Sequence, residues 1–372
     1  MPSLAIQTDL PVPDKVIDLG LNEGIWCPEA CLDVMRHYTG RDAMRGYSSP
    51  ENDDLLDAIS ESDRVDRDCI LIGQGSGPLL SVGVRHFVER AIKRSPVRVA
   101  KWAVGRKPYG AVTGRFTYFK FMRHVVKGGL GLRRLPNGPD RGFRLDLEEV
   151  QATLKRRPGL VYVCNPNNPT GQLMLEREQI VSLLEQFPES IVWVDEAYVQ
   201  FMDPDAYQPM GDLAGTYDNL VVSRTFSFAY GLAAARVGYL LGPAQAVQTL
   251  RAKNTRYGLG ALPEALAVAA LRDTAHLPEL RAHVQASVAR IRSVLDVPGV
   301  QTFPTHSHFL LGRFTDGRRT GRRLHDALMA RNLRIRHFEP VHGDSFDDYF
   351  RINVGTPADN DLLCAHLAEV LA

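Results

Sequence analysis

The chain has 372 residues, with 44 Lys+Arg against 43 Asp+Glu and a formal net charge of +1; at about 150 residues per domain, this length suits two domains. Apolar residues make up 44% and charged residues 23%, which excludes disordered and collagen-like chains, and the even charge argues against a dedicated nucleic-acid or membrane-surface protein. No apolar run approaches the roughly 20 residues that span a bilayer, and the start MPSLAIQTDLPVPDK has no secretory pattern, so a cytoplasmic protein is expected.

Residues 1–40 lack clear periodicity and are expected to form an N-terminal arm packed on the small domain or on a partner subunit. Within it, Cys27 and Cys31 stand at i,i+4 spacing and are expected to share a helix face, without a further His or Cys at ligand spacing. The five cysteines are scattered and read as reduced thiols.

From residue 41 to 279 the chain reads as one large α/β domain. Strands are expected at Cys69–Ile72, Leu160–Cys164, Ile191–Val194, Leu220–Ser223 and Val237–Leu241, most of them Val- or Ile-rich and none alternating. Runs of that kind suit a mostly parallel sheet covered by helices on both faces. Helical pieces are expected at Val150–Leu154 and Glu176–Phe187. The remaining residues, 280–372, read as a smaller α+β domain. It opens with an amphipathic helix through Leu280, Val284, Val288, Ile291 and Leu295. A strand near Phe309–Leu311, a helix near Arg322–Arg331, strands at Leu333–His337 and Phe350–Val354, and a closing helix follow.

In open α/β sheets, ligands sit at the carboxyl ends of the strands. After Ile70–Ile72 comes Gly73-Gln74-Gly75-Ser76-Gly77-Pro78, a turn that exposes backbone N–H groups at a helix start and suits a phosphate. After Val161–Val163 comes the rigid turn Asn165-Pro166-Asn167-Asn168-Pro169-Thr170-Gly171. After Ile191–Val194 comes Asp195-Glu196-Ala197-Tyr198, where a carboxylate can pair with a protonated heterocycle and a phenol can donate to its oxygen. After Val221–Ser223, Arg224-Thr225-Phe226-Ser227-Phe228 leads to Arg236; two hydroxyls and a bidentate guanidinium there suit a phosphate.

Together with the late Phe350-Arg351-Ile352-Asn353-Val354-Gly355, these motifs resemble the fold-type-I pyridoxal-phosphate aminotransferases, closest to the histidinol-phosphate aminotransferase-like class I/II branch. The resemblance runs from Asn22-Glu23 to the C-terminus, and Asn22 falls in its substrate-binding part. It implies a homodimer that binds pyridoxal or pyridoxamine phosphate and acts on an amino-acid-like substrate. Asp195 would meet the ring nitrogen, Asn168 and Tyr198 the phenolic oxygen, and Tyr118 the ring face. Gly75, Ser76, Gly77, Thr225, Ser227 and Arg236 would hold the phosphate, helped by Tyr47 from the neighbouring subunit. Arg351 would clamp the substrate carboxylate.

One position departs from the pattern. The family places its Schiff-base lysine directly after the second serine, where this chain has Phe228; the nearest lysine is Lys253. Phenylalanine neither bonds the cofactor nor moves a proton. Three readings of this position stand: lysine-independent chemistry with non-covalent cofactor, a non-catalytic relative that binds a ligand or partner, or a position altered from its natural residue; for the function, a reaction in the re-purposed pocket that needs no pyridoxal phosphate is a further alternative. His308 falls where the family usually has asparagine and is a candidate substitute proton carrier. His306 and His308 are expected on one strand face, with His337 and His342 following. Eight arginines between Arg313 and Arg336 read chiefly as a solvated face.

Overall fold

The computed structural model describes residues 13–40, 42, 45–49, 51–105, 107, 109–127, 130–253, 258–340 and 345–372. Residues 1–12 of the expected arm, His342 and the side chain of Lys253 lie outside the described residues. The chain divides into two compact units, Glu23–Arg281 and a smaller one that joins Ala282–Ala372 to the segment ending at Asn22. The expected arm of residues 1–40 is therefore split, and its second half carries the helix Glu29–His37.

The strands, in chain order, begin with β1 (Ile17–Asp18), β2 (Ile70–Gly73), β3 (Gly110–Gly114), β4 (Gly131–Leu135), β5 (Gly159–Cys164), β6 (Ile191–Asp195) and β7 (Leu220–Thr225). Then come β8 (Gly238–Leu241), β9 (Val300–Thr302), β10 (Phe309–Phe314), β11 (Leu333–Arg334), β12 (Arg336–His337) and β13 (Tyr349–Asn353). In the larger unit seven strands form one sheet in the order β2-β8-β7-β6-β5-β3-β4. β7-β6-β5-β3-β4 are parallel, and β8 runs antiparallel to both its neighbours. β5, β6 and β7 are buried along their whole length, which is why their sequences are continuous apolar runs rather than alternating ones.

Two strands of this sheet, β3 and β4, were not anticipated. β3 is bracketed by glycines and β4 is an edge strand carrying Arg133 and Arg134, so neither shows an apolar run. The helix Ser76–Lys93 packs closely on β6: a Cβ at Gly83 would stand 2.6 Å from the Trp193 ring. That approach fixes the helix whose first residue is Ser76. Leu147–Arg156 starts where the Asp146 carboxylate accepts from the Glu148 and Glu149 N–H groups, and Arg177–Gln186 starts in a Glu176/Gln179 capping box. Cys27 precedes the helix Glu29–His37 while Cys31 lies within it, so the expected shared helix face does not exist.

In the smaller unit, four strands run antiparallel in the order β12-β13-β10-β9, and β1 pairs in parallel with β11. The expected strand Leu333–His337 is thus two short strands in different sheets. His306 is exposed and His308 fully buried in the bend before β10, so the two imidazoles do not line one strand face. The basic stretch is held locally, by Arg313–Asp348, Arg319–Asp316 and Arg322–Glu339 pairs. Among the described residues, no helix is long and apolar enough to cross a membrane.

Candidate active site

Parallel register brings the carboxyl ends of β5, β6 and β7 together in the larger unit: Cys164 stands beside Asp195, and Asp195 beside Ser223. Asp195 is almost fully buried. Tyr162 donates its hydroxyl to one carboxylate oxygen at 2.7 Å and Ser223 donates to the other at 3.0 Å. Ser223 in turn accepts from the Trp193 indole N–H at 3.0 Å. Burial pushes the Asp195 carboxyl above its usual range, and the two hydroxyls and the Ala197 N–H oppose that shift. No arginine or lysine among the described residues pairs with it. A buried carboxylate without a cation is costly, so the natural complement is a cationic ring nitrogen.

The Asn165–Gly171 turn is pinned by its amides. Asn165 exchanges hydrogen bonds with the Leu175 carbonyl and the Met174 N–H, both at 2.7 Å, while Asn167 bonds Thr117 at 2.6 Å and Thr170 at 2.9 Å. The next residue is thereby aimed: Asn168 Nδ2 lies 2.9 Å from the Tyr198 hydroxyl, a donor pair that suits one phenolate oxygen. The Tyr198 ring stacks on Phe228, with centroids 4.7 Å apart and planes 9° from parallel. The turn carrying Phe228 is itself clamped. A Cβ at Gly24 would stand 2.5 Å from the Phe228 carbonyl, and one at Gly231 would stand 2.3 Å from that of Trp26. Tyr118 is half-buried, and its hydroxyl is pushed up by burial and then by the charge of Asp195 nearby.

At the start of the helix Ser76–Lys93, Gly75 adopts φ +88°, and a Cβ there would meet the Arg236 guanidinium at 2.6 Å. Arg236, itself at φ +56°, is anchored to the Ala233 carbonyl at 3.1 Å. Thr225 and Ser227 hydroxyls lie 2.9 Å apart, and Gly238 lets the Ser76 N–H pass within 2.6 Å of where its Cβ would be. A Cβ at Gly77 meets nothing within 4 Å, so open space remains at the helix start. Unsatisfied N–H groups, two hydroxyls and a guanidinium bounding open space fit a phosphate. With Asp195 and the Asn168–Tyr198 pair, these residues fit a phosphorylated pyridine with a phenolic oxygen.

In the smaller unit, Arg351 is buried on β13, donates to the Gly20 carbonyl at 2.7 Å and sits 5.0 Å over the Phe309 ring. Asn22 is half-buried there, beside Leu21, whose carbonyl accepts from Asn353. His308 is fully enclosed, edge-on to Phe309. Tyr47, in the larger unit, is 85% exposed.

Sequence reasoning missed Tyr162, Ser223 and Trp193 beneath Asp195. A signal existed: a hydroxyl inside each of the otherwise apolar runs Leu160–Cys164 and Leu220–Val222 plus Ser223. Also missed was a buried ionic cluster behind the same strands. Arg224 donates to Glu196 at 2.9 and 2.7 Å and to Asp63, whose other oxygen accepts from Tyr239 at 2.8 Å.

Residues 111–367 match the model of the class I and II aminotransferase family. The chain belongs to that family. It is 31% identical over 319 residues to a histidinol-phosphate aminotransferase of Anaeromyxobacter, covering 85% of this chain and 80% of that one. It is 27% identical over 362 residues to that of Bacillus subtilis, covering 96% and 92%. The solved histidinol-phosphate aminotransferase of Sinorhizobium meliloti, in complex with pyridoxal-5'-phosphate, superposes with a TM-score of 0.80 at 29% identity, over 96% of this chain and 91% of that one. The fold is thus that of the fold-type-I aminotransferases.

Proposed function

We propose that this chain binds pyridoxal or pyridoxamine phosphate non-covalently and uses it on an amino-acid-like substrate, without the lysine of its relatives, in a specialised biosynthetic pathway. One observation carries the reading. Phe228 stands directly after Thr225-Phe226-Ser227, stacked on Tyr198, while the groups around it keep their chemistry.

When bound, the cofactor supplies an electron-withdrawing heterocycle for chemistry at an amino carbon. Asp195 accepts from the ring nitrogen and favours its protonated form. Asn168 Nδ2 and the Tyr198 hydroxyl hold the phenolic oxygen. Gly75–Gly77, Thr225, Ser227 and Arg236 hold the phosphate, and Tyr118 covers a ring face. Phe228 closes the pocket to a covalent link and offers no atom for proton transfer, which forgoes about 10²–10⁴-fold of general acid–base assistance. Within this reading Arg351, with Asn22, binds the substrate carboxylate, whereas the full enclosure of His308 speaks against the proton-carrying role expected of it. Tyr47 reaches the phosphate of a second copy in a homodimer.

The same Phe228 favours one rival, a binding module that has kept the pocket and lost turnover. Titrating pyridoxamine phosphate into the protein and into Asp195→Ala tests the shared premise: affinity should fall at least tenfold in the variant. Equal or absent binding in both refutes it. Substrate-dependent loss of the amino group from bound pyridoxamine phosphate separates enzyme from binding module.

A further inference from the structure

Below Asp195 the hydrogen bonds have a direction. The Trp193 indole N–H can only donate, so Ser223 accepts from it at 3.0 Å and turns its own hydrogen to Asp195 Oδ1. The Tyr162 hydroxyl, fully buried and 2.7 Å from Oδ2, supplies a second donor. A carboxylate has about four acceptor sites. The two hydroxyls each hold one carboxylate oxygen and favour the charged carboxylate over the neutral carboxyl.

We propose that Tyr162 is a positioning residue that keeps Asp195 an oriented anion and thereby keeps the proton of the Asp195–cofactor pair on the ring nitrogen. The inference rests on the cofactor reading above and goes beyond it by assigning a role to a strand residue that the motifs pass over.

The surroundings make this donor matter. Asp195 faces Tyr162 and Cys164 from β5, Ser223 from β7, Glu196 just after its own strand and Tyr118 from the segment after β3. None is a cation. Burial and the Glu196 charge favour the neutral carboxyl, and the hydroxyls oppose them. The pair shares one proton between carboxylate and ring nitrogen. Removing a donor to the carboxylate makes it the stronger base, so the proton moves from nitrogen to oxygen and the ring loses its charge. The Tyr162 ring is fixed independently, stacked on Phe121 with centroids 3.7 Å apart and planes 9° from parallel. Deleting the hydroxyl therefore leaves the packing in place.

The test compares wild type, Tyr162→Phe and Ser223→Ala with two probes, pyridoxamine phosphate and its carbocyclic analogue with C–H in place of the ring nitrogen. A hydrogen bond to a charged group is worth roughly tenfold or more in an equilibrium constant. Wild type should prefer pyridoxamine phosphate, and Tyr162→Phe should lose about tenfold of that preference while its affinity for the analogue stays within about twofold. With nitrogen-15 in the ring, the bound resonance should be that of a protonated nitrogen in wild type and move toward the unprotonated position in Tyr162→Phe. Ser223→Ala should move both readouts the same way, which keeps the test open if Tyr162→Phe fails to fold. An unchanged preference and resonance in the folded variants overturns the role of Tyr162 alone. Absence of binding of either probe to wild type overturns the cofactor reading with it.

Discussion

Replacing Arg224 with methionine should destabilise the protein by about 3–5 kcal/mol. The guanidinium gives two bonds to Glu196, at 2.9 and 2.7 Å, and a third to Asp63. The side chains of Arg224 and Asp63 are 6% exposed and that of Glu196 is 0% exposed. Methionine fills comparable volume, so little of the loss comes from packing. It comes from two carboxylates left in the interior without a cation, since the Tyr239 hydroxyl and the Met210 N–H that remain to them carry no charge. At about 2–4 °C per kcal/mol the melting temperature should fall by roughly 10 °C. Circular dichroism at neutral pH would follow the wild type, Arg224→Met, and Arg224→Met combined with Asp63→Asn and Glu196→Gln. The combined variant should recover most of the loss, because it removes the uncompensated charge. A fall of less than about 1 kcal/mol in Arg224→Met, or no recovery in the combined variant, refutes this reasoning.

Three further outcomes are expected. Phe228→Lys should lose about 1 kcal/mol of stacking with Tyr198 and, after incubation with pyridoxal phosphate and borohydride reduction, gain the mass of one covalent adduct; no adduct in a folded variant contradicts the placement of Phe228 beside the ring. Gly75→Ala puts a side chain at φ +88° and into the Arg236 guanidinium, so pyridoxamine phosphate affinity by calorimetry should fall at least tenfold; an unchanged affinity removes this turn from the phosphate site. Burial and the neighbouring Cys27 push the Cys31 thiol up to about 12. Cys31 should stay unlabelled by a thiol reagent at pH 8 in the folded protein and react only on unfolding, since the thiolate is the nucleophile.

The strands β5, β6 and β7 were legible because β-branched runs buried on both faces leave a plain signature. β3 was not, since Gly110 and Gly114 bracket only three residues, and β4 hid behind its arginines. The motif resemblance singled out Asn168, Tyr198 and Asp195 as candidates but not what orients them. The support of Asp195 comes from Tyr162 and Ser223 on two other strands, and cross-strand register is decided by pairing rather than by local sequence. Cys27 and Cys31 mislead for a related reason. Pro28 starts the helix between them, so helical spacing does not apply across it.

The most direct test of the central claim is the intact mass of the wild-type protein before and after borohydride reduction with pyridoxal phosphate. Native conditions should show one cofactor bound per chain, and the reduced, denatured chain should keep its original mass. A stoichiometric covalent adduct on any lysine, or no bound cofactor at saturation, contradicts the claim that this site holds its cofactor without a Schiff base.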